Sequence, residues 1–379
     1  MNTHTHAIKM EASIKEQIKA IEEEIFNTQK NKATEHHIGK LKAKIAKLKE
    51  EVERRKSSQK KGKGFSIKKS GDATVGIIGF PNVGKSTLLN KLTGAESKVG
   101  NYNFTTLDVI PGIIKYKGAD IQLLDLPGFI EGAAEGKGRG REILSAIRSV
   151  DLLLIMIDVL QIKHLDIIDN ELYSVGLRLN QKKPDIVITK KTNGGIIVNS
   201  TRTLSSLNEN LIKSISSEFL INADITIRED INEDQLIDYF SENRIYVPAI
   251  VALNKKDLIS PEDLKKMYEK IKEKWGKVES ISAETNEGLN DLVESIFTYL
   301  RFIRVFMKPV GKKIDYNEPL ILREGNTVED ACKKIHRDFK RKFRYATVSG
   351  PSAKHDNQKV GLKHKLKDQD ILTLIIWKK

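Results

Sequence analysis

The chain has 379 residues, more than one average domain needs and enough for two or three separate cores. Hydrophobic residues make up 39% and charged residues 31%, the balance of a soluble globular protein, and the formal charge is +14. The single cysteine, Cys332, excludes an internal disulfide and a cysteine-rich metal site and fits a reducing cytoplasm. No apolar run reaches the ~20 residues of a membrane helix and no apolar leader is visible, so neither membrane anchorage nor a signal peptide is expected.

The charge is unevenly placed. Residues 1–70 hold 18 Lys/Arg against 9 Asp/Glu, residues 301–379 hold 20 against 9, and the middle holds 27 against 33. A slightly acidic centre with two basic ends is the electrostatic footprint of RNA or ribosome contact. The plainer alternative is a solvated lysine-rich surface.

In chain order, Ile14, Ile18, Ile21 and Ile25, then Ile38, Leu41, Ile45, Leu48 and Val52, recur at heptad spacing. The polar stretch between the two runs predicts an antiparallel helical hairpin, followed by a basic linker, over residues 1–70. From Ala73 the pattern changes to short apolar runs: T-V-G-I-I-G, I-Q-L-L-D, D-L-L-L-I-M-I-D and P-A-I-V-A-L-N. Each is followed by enough chain for a helix, which predicts an α/β domain with a mostly parallel sheet over 71–161 and 244–300.

Asp125 and Asn254 are 129 positions apart, about twice what two βαβ steps need. Segments 162–243 therefore read as a small inserted α+β domain, with strands at D-I-V-I-T-K, G-G-I-I-V-N and A-D-I-T-I-R and helices over 204–219 and 234–240. Residues 301–379 predict a small sheet with one helix running from Thr327 to Phe339, opened by the capping box T-V-E-D. Cys332 reads as a small core residue of that helix.

The chemistry is concentrated at the ends of the predicted strands. G-F-P-N-V-G-K-S, Gly79 to Ser86, lies between a strand and a helix, the setting a phosphate-binding loop requires. Gly79, Pro81, Asn82, Val83, Gly84, Lys85, Ser86 and Thr87 are the candidate phosphate ligands. Lys85 is placed to reach the β- and γ-phosphates and Ser86 to give its hydroxyl to Mg²⁺. Asp125 ends the next strand in D-L-P-G, where a carboxylate can hold the Mg²⁺ shell and Gly128 can bring its N–H close to the γ-phosphate.

Asn254, Lys255, Asp257 and Leu258 form an N-K-x-D segment at the end of a further strand. The Asp257 carboxylate can accept two hydrogen bonds from guanine that adenine does not offer, which selects GTP and GDP over ATP by a factor on the order of 10⁴. Ser282 and Ala283 are placed to present a backbone N–H to the guanine oxygen. Thr105 and Thr106 lie in the loop that would close over Mg²⁺, with Thr106 the chosen ligand. The histidines at positions 4, 6, 36 and 37 show no metal spacing.

These segments, in this order, resemble the small GTPases. G-F-P-N-V-G-K-S, N-Y-N-F-T-T-L-D-V-I-P-G and D-L-P-G-F-I-E-G-A-A-E-G-K-G-R-G-R-E resemble the Obg-related branch. With E-L-Y-S-V-G-L-R-L-N, K-K-T-N-G-G-I-I-V and N-R-I-Y-V-P, the chain is most similar to the DRG family, the developmentally regulated GTP-binding proteins of archaea and eukaryotes. The resemblance implies an N-terminal helical region, a GTPase domain, a ribosomal-protein-like insert and a C-terminal β-grasp module called TGS. In eukaryotes it also implies a regulatory protein partner.

Ras-like enzymes carry a water-orienting glutamine just after D-x-x-G, where this chain has Phe129. Hydrolysis is therefore expected to be slow or to use another device. Asn82 resembles the residue that helps to hold K⁺ beside the phosphates in potassium-activated GTPases, and the alternative is that it only stabilises the loop. Gly128, Gly132, Gly136, Gly138 and Gly140 suit a segment that orders on a γ-phosphate, the element a switch needs. Arg139 and Arg141 contact phosphate or a partner, or are solvated.

The expected role is a slow switch acting on translation through RNA or the ribosome, with R-D-F-K-R-K-F-R-Y as a candidate RNA surface in the C-terminal module. Phe339 and Phe343 could equally turn into the core. The other readings are a nucleotide-gated protein-binding module, whose partner the hairpin would hold, and a GTPase that binds without hydrolysing. A cytoplasmic monomer is expected.

Overall fold

Strand β1 (Ala73–Ile78) is buried along its whole length, as are β4 (Leu152–Asp158) and β10 (Ala249–Asn254). Continuous burial is what a strand covered on both faces requires, and it explains why these segments read as unbroken apolar runs. The structure, a computed structural model, describes residues 2–29, 31, 34–59, 70–93, 110–126, 146–241 and 244–377. With β2 (Ile110–Tyr116), β3 (Ala119–Asp125) and β11 (Val278–Ser280) these strands form a six-stranded sheet in the order β11-β10-β4-β1-β3-β2.

All neighbours in that sheet run parallel except β2 and β3. That pair is closed by Lys117 and Gly118, both at positive φ (49° and 83°), the two-residue turn whose twist matches a hairpin. Helices α3 (Lys85–Thr93), α4 (His164–Ser174), α7 (Pro261–Trp275) and α8 (Leu289–Tyr299) belong to this domain. Ile77, Leu123, Leu154, Leu292 and Ile296 are fully buried in its core. The carboxyl ends of β1, β3, β4 and β10 lie side by side, the place where open α/β sheets bind ligands.

The C-terminal module continues from α8. Its sheet has the order β13-β12-β16-β14-β15, from β12 (Phe302–Met307), β13 (Leu320–Arg323), β14 (Phe343–Ser349), β15 (Gln358–Val360) and β16 (Ile371–Ile376). The expected single helix from Thr327 to Phe339 is two pieces, α9 (Val328–Ile335) and α10 (Arg337–Arg341). His336 takes an extended conformation between them, and its ring accepts the Asp338 N–H at 3.2 Å, which starts the second piece. The capping box is present with Asp330 as the returning side chain. Cys332 is a buried core residue, and burial pushes its thiol pKa up.

Phe302 and Ile321 of this module share the nucleotide domain's core with Phe297 and Leu300. Arg323 pairs with Asp151 at 2.8 Å and Lys334 with Asp72 at 2.6 Å. Contacts gather Phe65–Val175 and Val247–Lys379 into one unit accordingly.

The second unit joins Met1–Gly64 to Gly176–Tyr246. It contains the hairpin α1 (Asn2–Asn27) and α2 (Glu35–Gln59) and the insert, whose sheet runs β6-β8-β7. The insert's elements are β6 (Ile186–Lys190), β7 (Ile196–Ser200), β8 (Ala223–Ile227), α5 (Glu209–Ser216) and α6 (Glu233–Phe240). The sequence treats hairpin and insert as separate; here they share a core, with Ala43 and Ala46 of α2 against Leu211, Ile212 and Ile215 of α5. Gly39 permits the approach, since a Cβ there would meet Leu211 Cδ1 at 2.8 Å. By contact α4 groups with the nucleotide domain, although it falls within 162–243.

A short pair, β5 (Leu177–Leu179) and β9 (Ile245–Val247), closes the base of the insert. There the buried Asp238 accepts hydrogen bonds from Arg178 and, at 2.6 Å, from Arg244, so the buried charge is compensated. Among the described residues no helix is long and apolar enough to cross a membrane.

Candidate nucleotide site

The loop after β1 is shaped by its backbone. Asn82 and Gly84 have φ of 62° and 97°, and a Cβ on Gly84 would stand 2.4 Å from the Asn254 side-chain nitrogen. Gly79 presses on β4, where a Cβ would meet the Met156 carbonyl at 2.6 Å. Only glycine allows these approaches. Lys85, the first residue of α3, donates its ammonium hydrogens to the carbonyls of Gly79 and Phe80, both at 3.0 Å. Pro81 and Asn82 are exposed at the rim, and Val83 is buried beneath it.

Ser86 is the second residue of α3, and its hydroxyl donates to Asp125 Oδ2 at 3.4 Å. Asp125 is only 5% exposed, and its other oxygen, Oδ1, is buried without a hydrogen-bond partner among the described residues. Burial pushes the Asp125 pKa up, opposed by the Lys85 charge and the Ser86 hydroxyl. An uncompensated buried carboxylate oxygen beside a hydroxyl and an ammonium is costly unless a cation completes it. Hard oxygen donors of this kind suit Mg²⁺, so the residues present fit that ion.

The base side is built on Asn254. Its amide donates to the Val83 carbonyl at 2.7 Å, and its oxygen accepts the Ala283 N–H at 2.9 Å. Ser282 gives its own N–H to the Glu287 carbonyl at 2.9 Å. The two amides from which one was expected to face the guanine oxygen thus both donate within the protein here, and Asn254 acts as a brace between two loops. Asp257 and Leu258 are exposed on the turn Lys256–Leu258, so the Asp257 carboxylate is open to a ligand.

Sequence reasoning missed Asp158. It ends β4 beside Asn254 of β10. Its carboxylate accepts from Lys255 Nζ at 2.7 Å and from the Leu160 N–H at 2.9 Å. Lys255 itself has left-handed backbone, φ 66°. The signal was available, since Asp158 closes an apolar run just as Asp125 does. Thr105, Thr106, Gly128 and Phe129, the glycines that follow, and Arg139 and Arg141 lie outside the described residues.

A Gly-rich loop after one strand, a carboxylate on the neighbouring strand and an N-K-x-D turn on a third, in one mostly parallel sheet, define the P-loop GTPase fold. Residues 74–191 match the family model described as 50S ribosome-binding GTPase, 193–302 the C-terminal region of that domain, and 303–376 the TGS domain. A GTP-binding protein of Methanocaldococcus jannaschii is 54% identical over 366 residues, covering 96% of this chain and 93% of that one. Developmentally-regulated GTP-binding protein 1 of Xenopus laevis is 47% identical over 363 residues, covering 94% and 98%. Developmentally-regulated G-protein 3 of Arabidopsis thaliana is 46% identical over 370 residues, covering 96% and 99%. The chain belongs to the developmentally regulated GTP-binding protein family, with an Obg-related GTPase domain and a C-terminal TGS domain. Membership implies GTPase activity, with GTP, GDP and Mg²⁺ as ligands.

Proposed function

We propose that the protein is a slow GTPase switch that acts on translation through RNA or the ribosome. In the reaction a water oxygen bonds to the γ-phosphorus of GTP while the bond from that phosphorus to the β–γ bridging oxygen breaks. GDP keeps the bonding electrons, and phosphate and a proton are released. Lys85 would leave the Gly79 and Phe80 carbonyls for the β- and γ-phosphates, where its charge opposes the negative charge that develops. Ser86, Asp125 and Thr106 would hold Mg²⁺, which supplies charge neutralisation at the phosphates when bound. Gly128 would offer its N–H to the γ-phosphate, and Asp257 would choose guanine.

The observation that carries the hydrolytic reading is the buried oxygen of Asp125, unpartnered among the described residues, beside Ser86 and Lys85. Slowness is supported by Phe129, which offers no hydrogen bond to an attacking water. Asn82 supports a K⁺ ion as the further charge beside the phosphates. The translational role is supported by the basic ends and by the ribosome-binding description of the matching family model.

Steady-state GTP hydrolysis, measured in KCl and in NaCl with and without purified ribosomes, tests both parts. Ribosome stimulation is the expected result. Tight GTP binding with no stimulation would instead favour a regulatory protein partner as the missing activator.

A further inference from the structure

Phe80 follows Gly79 in the Gly-rich loop, and its carbonyl is one of the two that hold the Lys85 ammonium. Its side chain is half-buried against the core that contains Val83 and Met156. The ring also stacks on the imidazole of His164, with ring centres 3.9 Å apart and planes 27° apart. This is a face-to-face contact, not an edge contact.

His164 opens α4, and its backbone is fixed from two sides. Leu165, Ile168 and Leu172 bury one face of the helix, and the chain before it is tied to the end of β4, where Asp158 accepts the Leu160 N–H at 2.9 Å. The side chain is held differently. Its Nδ1 is buried and has no hydrogen-bond partner among the described residues. A buried ring nitrogen without a partner costs stability, so that nitrogen does not explain the ring's placement. What the imidazole offers is a flat face against Phe80. The connection between β4 and α4 thus touches two strand-end segments: Asp158 accepts from Lys255 of the N-K-x-D turn, and His164 meets Phe80 of the Gly-rich loop.

We propose that His164 is a positioning residue for the phosphate loop, acting through the Phe80 ring and not through a hydrogen bond of its own. The proposal rests on the reading of this loop as the nucleotide's phosphate site; it needs neither the translational role nor a particular rate of hydrolysis. The loop has left-handed backbone at Asn82 and Gly84, so a side-chain anchor at Phe80 limits where its carbonyls and N–H groups can move. Holding a binding loop in place before the ligand arrives lowers the ordering cost of binding. Such an anchor acts on GDP and GTP alike, because it sets the loop in the ground state and the transition state equally. Its loss raises KM and leaves kcat nearly unchanged.

Titration of the full chain with a fluorescent GDP analogue tests this, together with steady-state GTP hydrolysis and a urea melt without nucleotide. His164→Ala should weaken GDP binding and raise KM for GTP by the same factor, about three- to tenfold, the worth of one aromatic pair. His164→Phe keeps the flat face and removes the unpartnered nitrogen, so it should bind within about twofold of the parent and melt no earlier. His164→Leu fills the space without a ring and should bind as the alanine variant does. In a Phe80→Ala background, His164→Ala should change affinity by no more than about twofold, because both substitutions remove one contact. An alanine variant that melts earlier yet binds GDP as the parent does overturns the proposal and leaves His164 as a helix residue only. Rescue by leucine overturns it in favour of plain packing, and a phenylalanine variant as weak as the alanine one overturns it in favour of the ring nitrogen. A parent that binds no GDP would remove the phosphate-site reading and the proposal with it; the other failures leave that reading intact.

Discussion

Asn254 reaches back 171 positions to Val83, donating its side-chain amide to that residue's carbonyl at 2.7 Å within the protein interior. Because its oxygen also accepts the Ala283 N–H, one side chain sets the distance between the phosphate loop and the loop beneath the base. Asn254→Ala would strand a buried carbonyl and a buried N–H. Leaving such groups unsatisfied costs about 1–3 kcal/mol each. The variant should therefore melt earlier in denaturant and bind GDP and GTP at least about tenfold more weakly. Titration with a fluorescent GDP analogue and a urea melt measure the two effects. Normal affinity in a destabilised variant would mean that the loops hold their spacing without the brace.

Asp125 is held at a cost to the metal-free fold. Burial raises its pKa above the ordinary carboxylate value, so ionising it costs the folded chain more than the unfolded one. An acid whose pKa is raised on folding favours the folded state at low pH, and that contribution is lost as pH rises through the raised value. Asp125→Asn mimics the neutral acid at every pH. In chelator and without nucleotide, the variant should be the more stable protein at neutral pH. The gap should close on acidification toward the ordinary carboxylate range, while Mg²⁺-dependent nucleotide binding is lost. A neutral-pH melt in which the parent is more stable would contradict this account.

Most of this site is legible as spacing. Gly79 to Ser86, Asp125 and Asn254 to Asp257 each follow an apolar run, so their positions on strand ends were readable before any fold was known. What was not legible is which neighbour each group would choose. Ser282 and Ala283 looked like donors to a base, yet their amides are taken by Glu287 and Asn254. Asp158 looked like the end of a strand, and its partner Lys255 lies 97 positions away. Small residues hid the hairpin's packing: Gly39, Ala43 and Ala46 carry little hydrophobic signal, and their effect is to let α5 come close. The break at His336 was also hidden, because a helix can end without proline or glycine when a side chain caps the next turn.

On the function proposed above, Asp158 would position Lys255 for the guanine base. With its side chain 8% exposed, it fixes Lys255, whose stem would otherwise have to be ordered by the nucleotide itself. Asp158→Ala should raise KM for GTP by about tenfold, the worth of one hydrogen bond to a charged group, with kcat nearly unchanged. Asp158→Asn keeps an acceptor for the Leu160 N–H but loses the charge, and should fall between the two. A fall in kcat at constant KM would place Asp158 in the chemical step instead.

Asn82 has the backbone of a strained loop position and an exposed side chain at the rim of the phosphate loop. A left-handed asparagine is tolerated better than most residues, so a purely structural role is satisfied by glycine at the same place. A cation ligand is not, because glycine has no side-chain oxygen. This separates the two accounts. Turnover should be higher in KCl than in NaCl at equal ionic strength, and Asn82→Gly should bring the two rates together without weakening GTP binding. Equal rates for the parent in both salts would end the K⁺ reading. A variant that keeps its salt preference would place the K⁺ effect elsewhere and leave Asn82 as a loop residue only.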